Sequence, residues 1–372
     1  MFFKSQLLKD QEEYKNNLQL IGSLSNLFSD SLTPYLYYRI AEKIFCKSFN
    51  ADDLSRSDVA IDAKKKKLGI GLKTFLIGNK KSFQKVAEFN SDKNIYENLE
   101  YKKLIYKIAE LRNARIEFSQ NLFSLDNSIY HCIVRDNGLF KVYEENMSLV
   151  DIENIKNIKQ NKSSITFNDG KYDYSFLLSK STLTKRFCTS DFLFEFPIKI
   201  LENPLENLKQ CFESKQLLFS SETRVKETIY LPLHGKDKTV FERSGLNQWN
   251  AKGRKRDYNE VYIPVPSIIY TINSNFFPDR NTSFNLKLPN SKIMKSKICQ
   301  DGGKALMSYS NKELGKWILR DVLKLKEGEL LTYDKLQVID IDSVRIDKID
   351  DENFEINFSS LGSYDEFISS FK

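Results

Sequence analysis

The chain has 372 residues, 41% of them hydrophobic and 29% charged, with a formal net charge of +7 and a pI near 8.8. That length and apolar content suffice for two buried cores, so two domains are expected, and the modest positive balance suits a polyanionic partner without identifying one. Five scattered cysteines (Cys46, Cys132, Cys188, Cys211, Cys299), no apolar run of membrane-span length, a polar stretch after Met1-Phe-Phe-Lys-Ser and no glycine-rich phosphate loop argue against zinc, membrane insertion, secretion and nucleotide hydrolysis, and point to a reduced, cytoplasmic setting.

In chain order, helices are predicted near residues 10–28 and 34–48, the second with Thr33 as N-cap, Pro34 at its first position and Glu42 within it. Next comes Asp62-Ala-Lys-Lys-Lys-Lys-Leu-Gly-Ile-Gly-Leu-Lys73-Thr-Phe75, read as a strand over 69–77 with Gly69, Gly71, Lys73 and Phe75 on one face. Helical spacing of Phe83, Val86 and Phe89 predicts a helix over 80–90 that carries Glu88. An acid before a lysine-bearing apolar strand, with a second acid on the following helix, is the layout of a magnesium-dependent nuclease. Magnesium keeps several waters and needs only one or two protein carboxylates, here Asp62 and Glu88. A lysine beside it, Lys73, can orient water or stabilise charge in the transition state. The plainer readings are a turn-forming Asp62 ahead of Lys64 to Lys67, with Asp58 as its substitute at the metal, a Lys73 that snorkels from an edge strand, a solvated Glu88 and a Glu42 at the surface of its helix.

A longer helix is predicted near 95–118, with Leu99, Leu104, Ile105, Ile108 and Leu111 inward and Lys102, Lys103, Lys107, Arg112 and Arg115 interspersed as a solvated face, the alternative being contacts to a DNA backbone. Residues 128–178 read as two hairpins turning at Asp136-Asn-Gly138 and Asn168-Asp-Gly170, with His131 packed in an apolar strand. The stretch Pro197 to Ser221 is the expected junction. Beyond it, the loop Ser244 to Pro266 gathers Asn247, Gln248, Asn250, Lys252, Arg254, Lys255 and Arg256 around Trp249 and Gly253, before a strand over 260–265. Side-chain amides pair with adenine and arginine with guanine, so this loop can read sequence as well as hold phosphates. A helix from Lys312 to Lys324, capped by Asn311, and strands Val344–Ile349 and Phe354–Phe358 complete the chain.

The Asp62 and Lys73 segment resembles the PD-(D/E)XK nuclease superfamily, although Gly71 stands where the usual motif has an acid two residues before the lysine. In a restriction-enzyme subgroup of that superfamily the acid has moved to the following helix, about where Glu88 falls, and an upstream helical glutamate, matched by Glu42, approaches the metal. Residues 244–358, through Ser244-Gly-Leu-Asn247, Asn259-Glu-Val-Tyr-Ile-Pro-Val-Pro-Ser267, Asn275-Phe-Phe-Pro278, Gln300-Asp-Gly-Gly-Lys-Ala305 and Gly315-Lys-Trp317, resemble the C-terminal recognition domain of certain type II restriction endonucleases, a B3-like pseudobarrel. Such domains grip the major groove with two arms. The resemblance implies that the loop Asn247 to Arg256 is one of them, with Gln300, Asp301, Lys304 and Ser308 on or near the other. Relatives with that domain carry a phospholipase-D-like nuclease built on His-x-Lys motifs. Here His234-Gly-Lys236 begins one, but Phe241 stands in place of its Asp, and His234 is read as turn chemistry.

The expected whole is an α/β (α+β) PD-(D/E)XK-like nuclease domain, residues 1–215, followed by a mainly β B3-like domain, residues 216–372. Its expected activity is that of a type II site-specific deoxyribonuclease of a restriction-modification system, acting with Mg2+ on double-stranded DNA to leave a 5′-phosphate and a 3′-hydroxyl. The alternative is a sequence-specific regulator whose nuclease fold has lost its chemistry. The sequence leaves open the recognition site and whether a monomer or a DNA-bridged dimer cuts.

Overall fold

The computed structural model describes residues 1–55, 59–78, 81–215 and 227–371, so Asp58 lies outside the described residues. Two compact units divide the chain: Met1–Ile116 with Leu125–Thr223, and Glu117–Ser124 with Arg224–Lys372.

The N-terminal unit begins with α1 (Leu8–Ser23) and α2 (Tyr38–Phe49), then β1 (Asp52–Asp53), β2 (Ala63–Lys65), β3 (Leu68–Leu76), β4 (Lys81–Glu88), α3 (Lys93–Tyr96) and α4 (Tyr101–Phe123), whose last residues count with the second unit. It continues through β5 (Asn127–Asp136), β6 (Leu139–Asn146), β7 (Lys156–Gln160), β8 (Ser164–Asn168), β9 (Asp173–Leu177), β10 (Thr182–Cys188), β11 (Phe194–Pro197) and α5 (Pro204–Lys215). One sheet runs β1-β2-β3-β5-β6-β11 and a second β4-β10-β9-β8-β7. Strands β3 and β5 are parallel, which requires the long crossover that α4 supplies.

Alternation along β3, β5 and β6 sorts their side chains onto two faces. Ile70, Leu72, Ile129, Ile133 and Val142 pack with Tyr14, Leu18, Phe45 and Phe49 from α1 and α2 in one buried core. His131 belongs to that face and is fully buried; its Nε2 lies 2.9 Å from the Tyr14 hydroxyl and its Nδ1 2.8 Å from Glu144 Oε1. The other face turns Gly71, Lys73, Phe75, Tyr130 and Cys132 towards the second sheet, where Phe187 meets Phe75 and Tyr130 at ring distances of 5.8 and 5.1 Å.

Two predicted helices change. Residues 34–37 lie outside any helix, with Tyr37 extended, and α2 starts at Tyr38; Thr33 donates its hydroxyl to Asn137 Oδ1 at 2.8 Å instead of capping. Residues 81–88 form a strand, because their backbone groups pair with strand β10 from Cys188 to Thr182. Both predicted hairpin turns are present, but in different sheets: Gly138, at φ 64°, joins β5 to β6, and Gly170, at φ 88°, joins β8 to β9.

The C-terminal unit contains β12 (Glu227–Pro232), β13 (Ile263–Pro264), α6 (Ser267–Ile272), β14 (Ser283–Lys287), β15 (Ile293–Cys299), β16 (Ala305–Ser308), α7 (Glu313–Gly315, continuing as a π-helix over Lys316–Val322), α8 (Tyr333–Val338), β17 (Ile341–Lys348), β18 (Asn353–Ser360) and α9 (Ser363–Ser369). Its seven strands run β12-β17-β18-β14-β15-β16-β13, antiparallel except for β14 with β18, and curl into an open barrel. The interior is aromatic, with Phe284 and Phe354 rings 4.8 Å apart and Phe276 and Phe277 beside them. The cap of α7 differs from expectation: the Leu314 amide donates to Ser308 Oγ at 3.1 Å, and Asn311 adopts φ 62°.

Candidate functional site

In the N-terminal unit, Asp62 is fixed at three points. Its amide donates to Ile70 O and its carbonyl accepts from Leu54 N, both at 2.9 Å. Ala63 pairs with the same Ile70, so the ladder is locally irregular, and the Asp62 carboxylate fills the gap by accepting the Leu72 amide at 2.6 Å. The acid is thereby held against β3 one residue before Lys73.

Glu42 reaches the same region from α2. It is buried and takes Arg39 Nη1 at 3.1 Å, while Arg39 also donates to Ser55 O at 2.6 Å. Burial first, and then the neighbouring Asp62 charge, push the Glu42 carboxyl above its usual range against the pull of Arg39; Asp53 adds to the push. The nearby Cys46 thiol feels the same field: burial raises it to about 12, with Asp53, Glu42, Asp52 and Asp62 contributing. The Asp53 and Asp62 charges thus act on both Glu42 and Cys46. Asp53 was missed in the sequence, although the Asp52-Asp53 pair directly after α2 is a visible signal.

Lys73 projects from the opposite face of β3. It is half-buried, its Nζ lies 6.0 Å from the Tyr130 ring centre, and among the described residues it makes no hydrogen bond or ion pair. Below it lies a buried ion pair of Lys185 with Glu145, whose other oxygen accepts the Tyr143 hydroxyl. Cys132 links these groups electrostatically: burial raises its thiol, Glu145 adds to the rise, and Lys73 and Lys185 oppose it. A Cβ at Gly71 would meet Met147 Cε at 2.5 Å and Tyr130 Cδ1 at 3.1 Å, so the acid of the usual motif has no room there unless Met147 shifts.

Glu88 does not join this group. It ends strand β4 in the other sheet, is exposed, pairs with Lys85 and accepts from Asn90 Nδ2 at 2.6 Å; the Lys85 hydrogen bond holds its carboxyl below the ordinary range. Among the described residues no set of three or more His, Cys, Asp or Glu side chains is arranged to hold a metal. The Glu42 and Asp62 carboxylates form an all-oxygen pair, a donor set that suits a hard cation retaining its own water.

In the C-terminal unit, the first expected arm is a 3-10 turn over Gly245–Asn250 followed by an irregular loop to β13. Asn247 is buried: its amide nitrogen donates to Leu331 O at 2.8 Å and Phe241 O at 3.2 Å, and its oxygen accepts Leu331 N at 2.9 Å. Glu260 organises the rest, accepting Gln248 Nε2 at 3.2 Å and Arg254 Nη2 at 2.5 Å, with Arg256 Nε at 3.4 Å. Asn250 is exposed and donates to Glu242 O, while Arg256 is half-buried and reaches Ala251 O. Lys252 and Lys255 are exposed without a polar side-chain partner among the described residues.

The second arm is the tip between β15 and β16. Gln300 and Lys304 are exposed there, and the wholly exposed Asp301 carboxylate binds Arg280 at 2.8 Å, a residue sequence reasoning missed. Ser308 is buried and spent on the Leu314 amide.

Residues 221–350 match the family model of the NgoFVII C-terminal B3-like DNA-binding domain. The match, the seven-stranded open barrel and the two polar tips agree on a B3-like DNA-binding domain in the C-terminal unit. Of the expected readers, the B3-like domain leaves Gln248, Asn250, Lys252, Arg254, Gln300, Asp301 and Lys304 at or near its surface, and withdraws Asn247 and Ser308 into its interior. No curated protein matches the chain. Among the described residues no helix is long and apolar enough to cross a membrane.

Proposed function

We propose that the chain is a sequence-specific double-stranded DNA endonuclease of type II restriction character, with a PD-(D/E)XK-like N-terminal domain and magnesium as its cofactor. The observation that carries this reading is the Asp62 carboxylate locked on the Leu72 amide beside buried Glu42, with a lysine next along the strand that makes no ion pair among the described residues, in a chain that also holds a B3-like DNA-binding domain.

In this reading Asp62 and Glu42 would hold the ion, and Glu42 replaces Glu88 as the second ligand because Glu88 is committed to Lys85 on another sheet. A bound magnesium would polarise the phosphoryl oxygen and lower the pKa of the attacking water. Lys73, on the other face of β3 and without an ion pair among the described residues, would set its ammonium from that side against the water or the charge that builds on the transferred phosphorus group. The exposed arm residues would select the site, Arg254, Lys252 and Lys304 on phosphates or guanine edges and Gln248, Asn250 and Gln300 on adenine.

Purified protein incubated with plasmid and phage DNA, with magnesium or with EDTA, tests the proposal. Discrete fragments that appear only with magnesium, carrying 5′-phosphate ends, are expected, and end sequencing would yield the site. Tight selective binding without cutting across several methylation states would favour the regulator instead.

A further inference from the structure

Helix α2 carries Glu42 on its buried side and a different chemistry on its outer side. Arg39, Lys43 and Lys47 recur at every fourth position, so they form one stripe along about 12 Å of helix. Tyr37 and Tyr38 stand at its start, 43% and 48% exposed, with ring centres 4.6 Å apart. The Arg39 guanidinium lies 5.4 Å from the Tyr38 ring centre while its Nη1 holds Glu42. Lys43 and Lys47 are exposed and make no hydrogen bond or ion pair among the described residues. Glu42 is the only acid on the helix and it is buried, so the outer face bears no negative charge.

This differs from α4, whose cations are largely engaged within the protein. Lys107 pairs with Glu110 at 2.8 Å, Arg112 is buried on Ser148 O and the Tyr130 hydroxyl, and Arg115 binds Asp92. Lys47 in the last turn of α2 also complements the helix dipole, but the dipole accounts neither for Lys43 in mid-helix nor for two tyrosines held in water.

We propose that the outer face of α2 is a contact surface for the phosphate backbone of the DNA strand delivered to Glu42 and Asp62. Lys43 and Lys47 neutralise successive phosphates, and the Tyr37 and Tyr38 hydroxyls hydrogen-bond to phosphate oxygens at the end of the stripe that leads to Arg39 and Glu42. The surface carries no base-reading chemistry of its own, so it adds affinity and register without sequence preference. The inference rests on the endonuclease reading.

The test is the salt dependence of binding of the full chain to a mixed-sequence duplex in EDTA, followed by fluorescence anisotropy. Each lost phosphate contact flattens the plot of log affinity against log salt by about 0.9, so the Lys43→Gln/Lys47→Gln variant should lose about 1.8 from the slope. Tyr37→Phe/Tyr38→Phe should weaken binding equally for all sequences. All of these side chains are exposed, and thermal melting of each variant alongside the parent separates lost contact from lost fold. An unchanged slope in the α2 lysine variant, with the parent still binding and cutting DNA, overturns the α2 surface and leaves the endonuclease standing. A parent protein that binds no DNA overturns both.

Discussion

Asn247 uses both ends of its side-chain amide on Leu331 and Phe241, so its role is to hold the first arm to the barrel. Leaving those buried backbone groups unpaired costs about 2 kcal/mol. Asn247→Ala should therefore lower the denaturant midpoint of the C-terminal unit while the bases selected from a randomised duplex pool stay the same; a changed base preference at unchanged stability would reverse that assignment. The sequence showed Asn247, Gln248 and Asn250 as equivalent amides. A loop has no fixed period, so nothing in one dimension separates the amide that points inward from those that point out. Lys73 was legible for the opposite reason: strand alternation fixes its face, and a lysine among apolar residues is conspicuous. The Asp62 anchor on Leu72 was legible only as proximity to a strand, because the irregular ladder that lets the carboxylate replace a backbone acceptor depends on pairing across the hairpin.

At the level of elements, β3, β5, β6 and both hairpin turns could be read from alternation and from Asn-Gly and Asp-Gly pairs, which act locally. The strand β4 could not. Its eight residues fit a helical spacing as well as a strand, and only pairing with β10 decides between them. The cost of that misreading was Glu88, which a helix would have brought near β3 and a strand leaves in the other sheet. A second local arrangement joins β12 to β17. The His234 ring donates from Nδ1 to Gly235 O at 2.7 Å, with Nε2 3.6 Å from Asp342 Oδ2. Burial opposes the charged imidazole, but Asp342 and the Gly235 carbonyl outweigh it and raise His234 above 6.5; burial likewise opposes ionised Asp342, yet His234 and the Gly362 amide hold it below 3.8. The His234 contribution is complete below 6.5 and is lost as pH rises through the folded value, whereas the Asp342 contribution is complete above 3.8 and is lost as pH falls through its folded value. The melting-temperature advantage of the parent over His234→Phe should thus be widest between those limits and shrink above neutrality. An advantage that grows with alkaline pH would contradict the pairing.

For the whole molecule, Met1–Ile116 with Leu125–Thr223 form an α/β unit and Glu117–Ser124 with Arg224–Lys372 a mainly β unit, and the B3-like match covers residues 221–350. The proposed labour is divided in the same way, with the C-terminal arms choosing the site and the N-terminal acids and Lys73 cutting it. Binding and cleavage should then separate by mutation. The decisive measurement compares both activities in the parent, Asp62→Asn and Lys73→Ala on one DNA substrate, binding in EDTA and cleavage in magnesium. Both variants should bind within about twofold of the parent and lose cleavage by at least about a hundredfold, the size of effect typical of removing one charge-stabilising group. Cleavage that persists at the parent rate in either variant would contradict that division of labour.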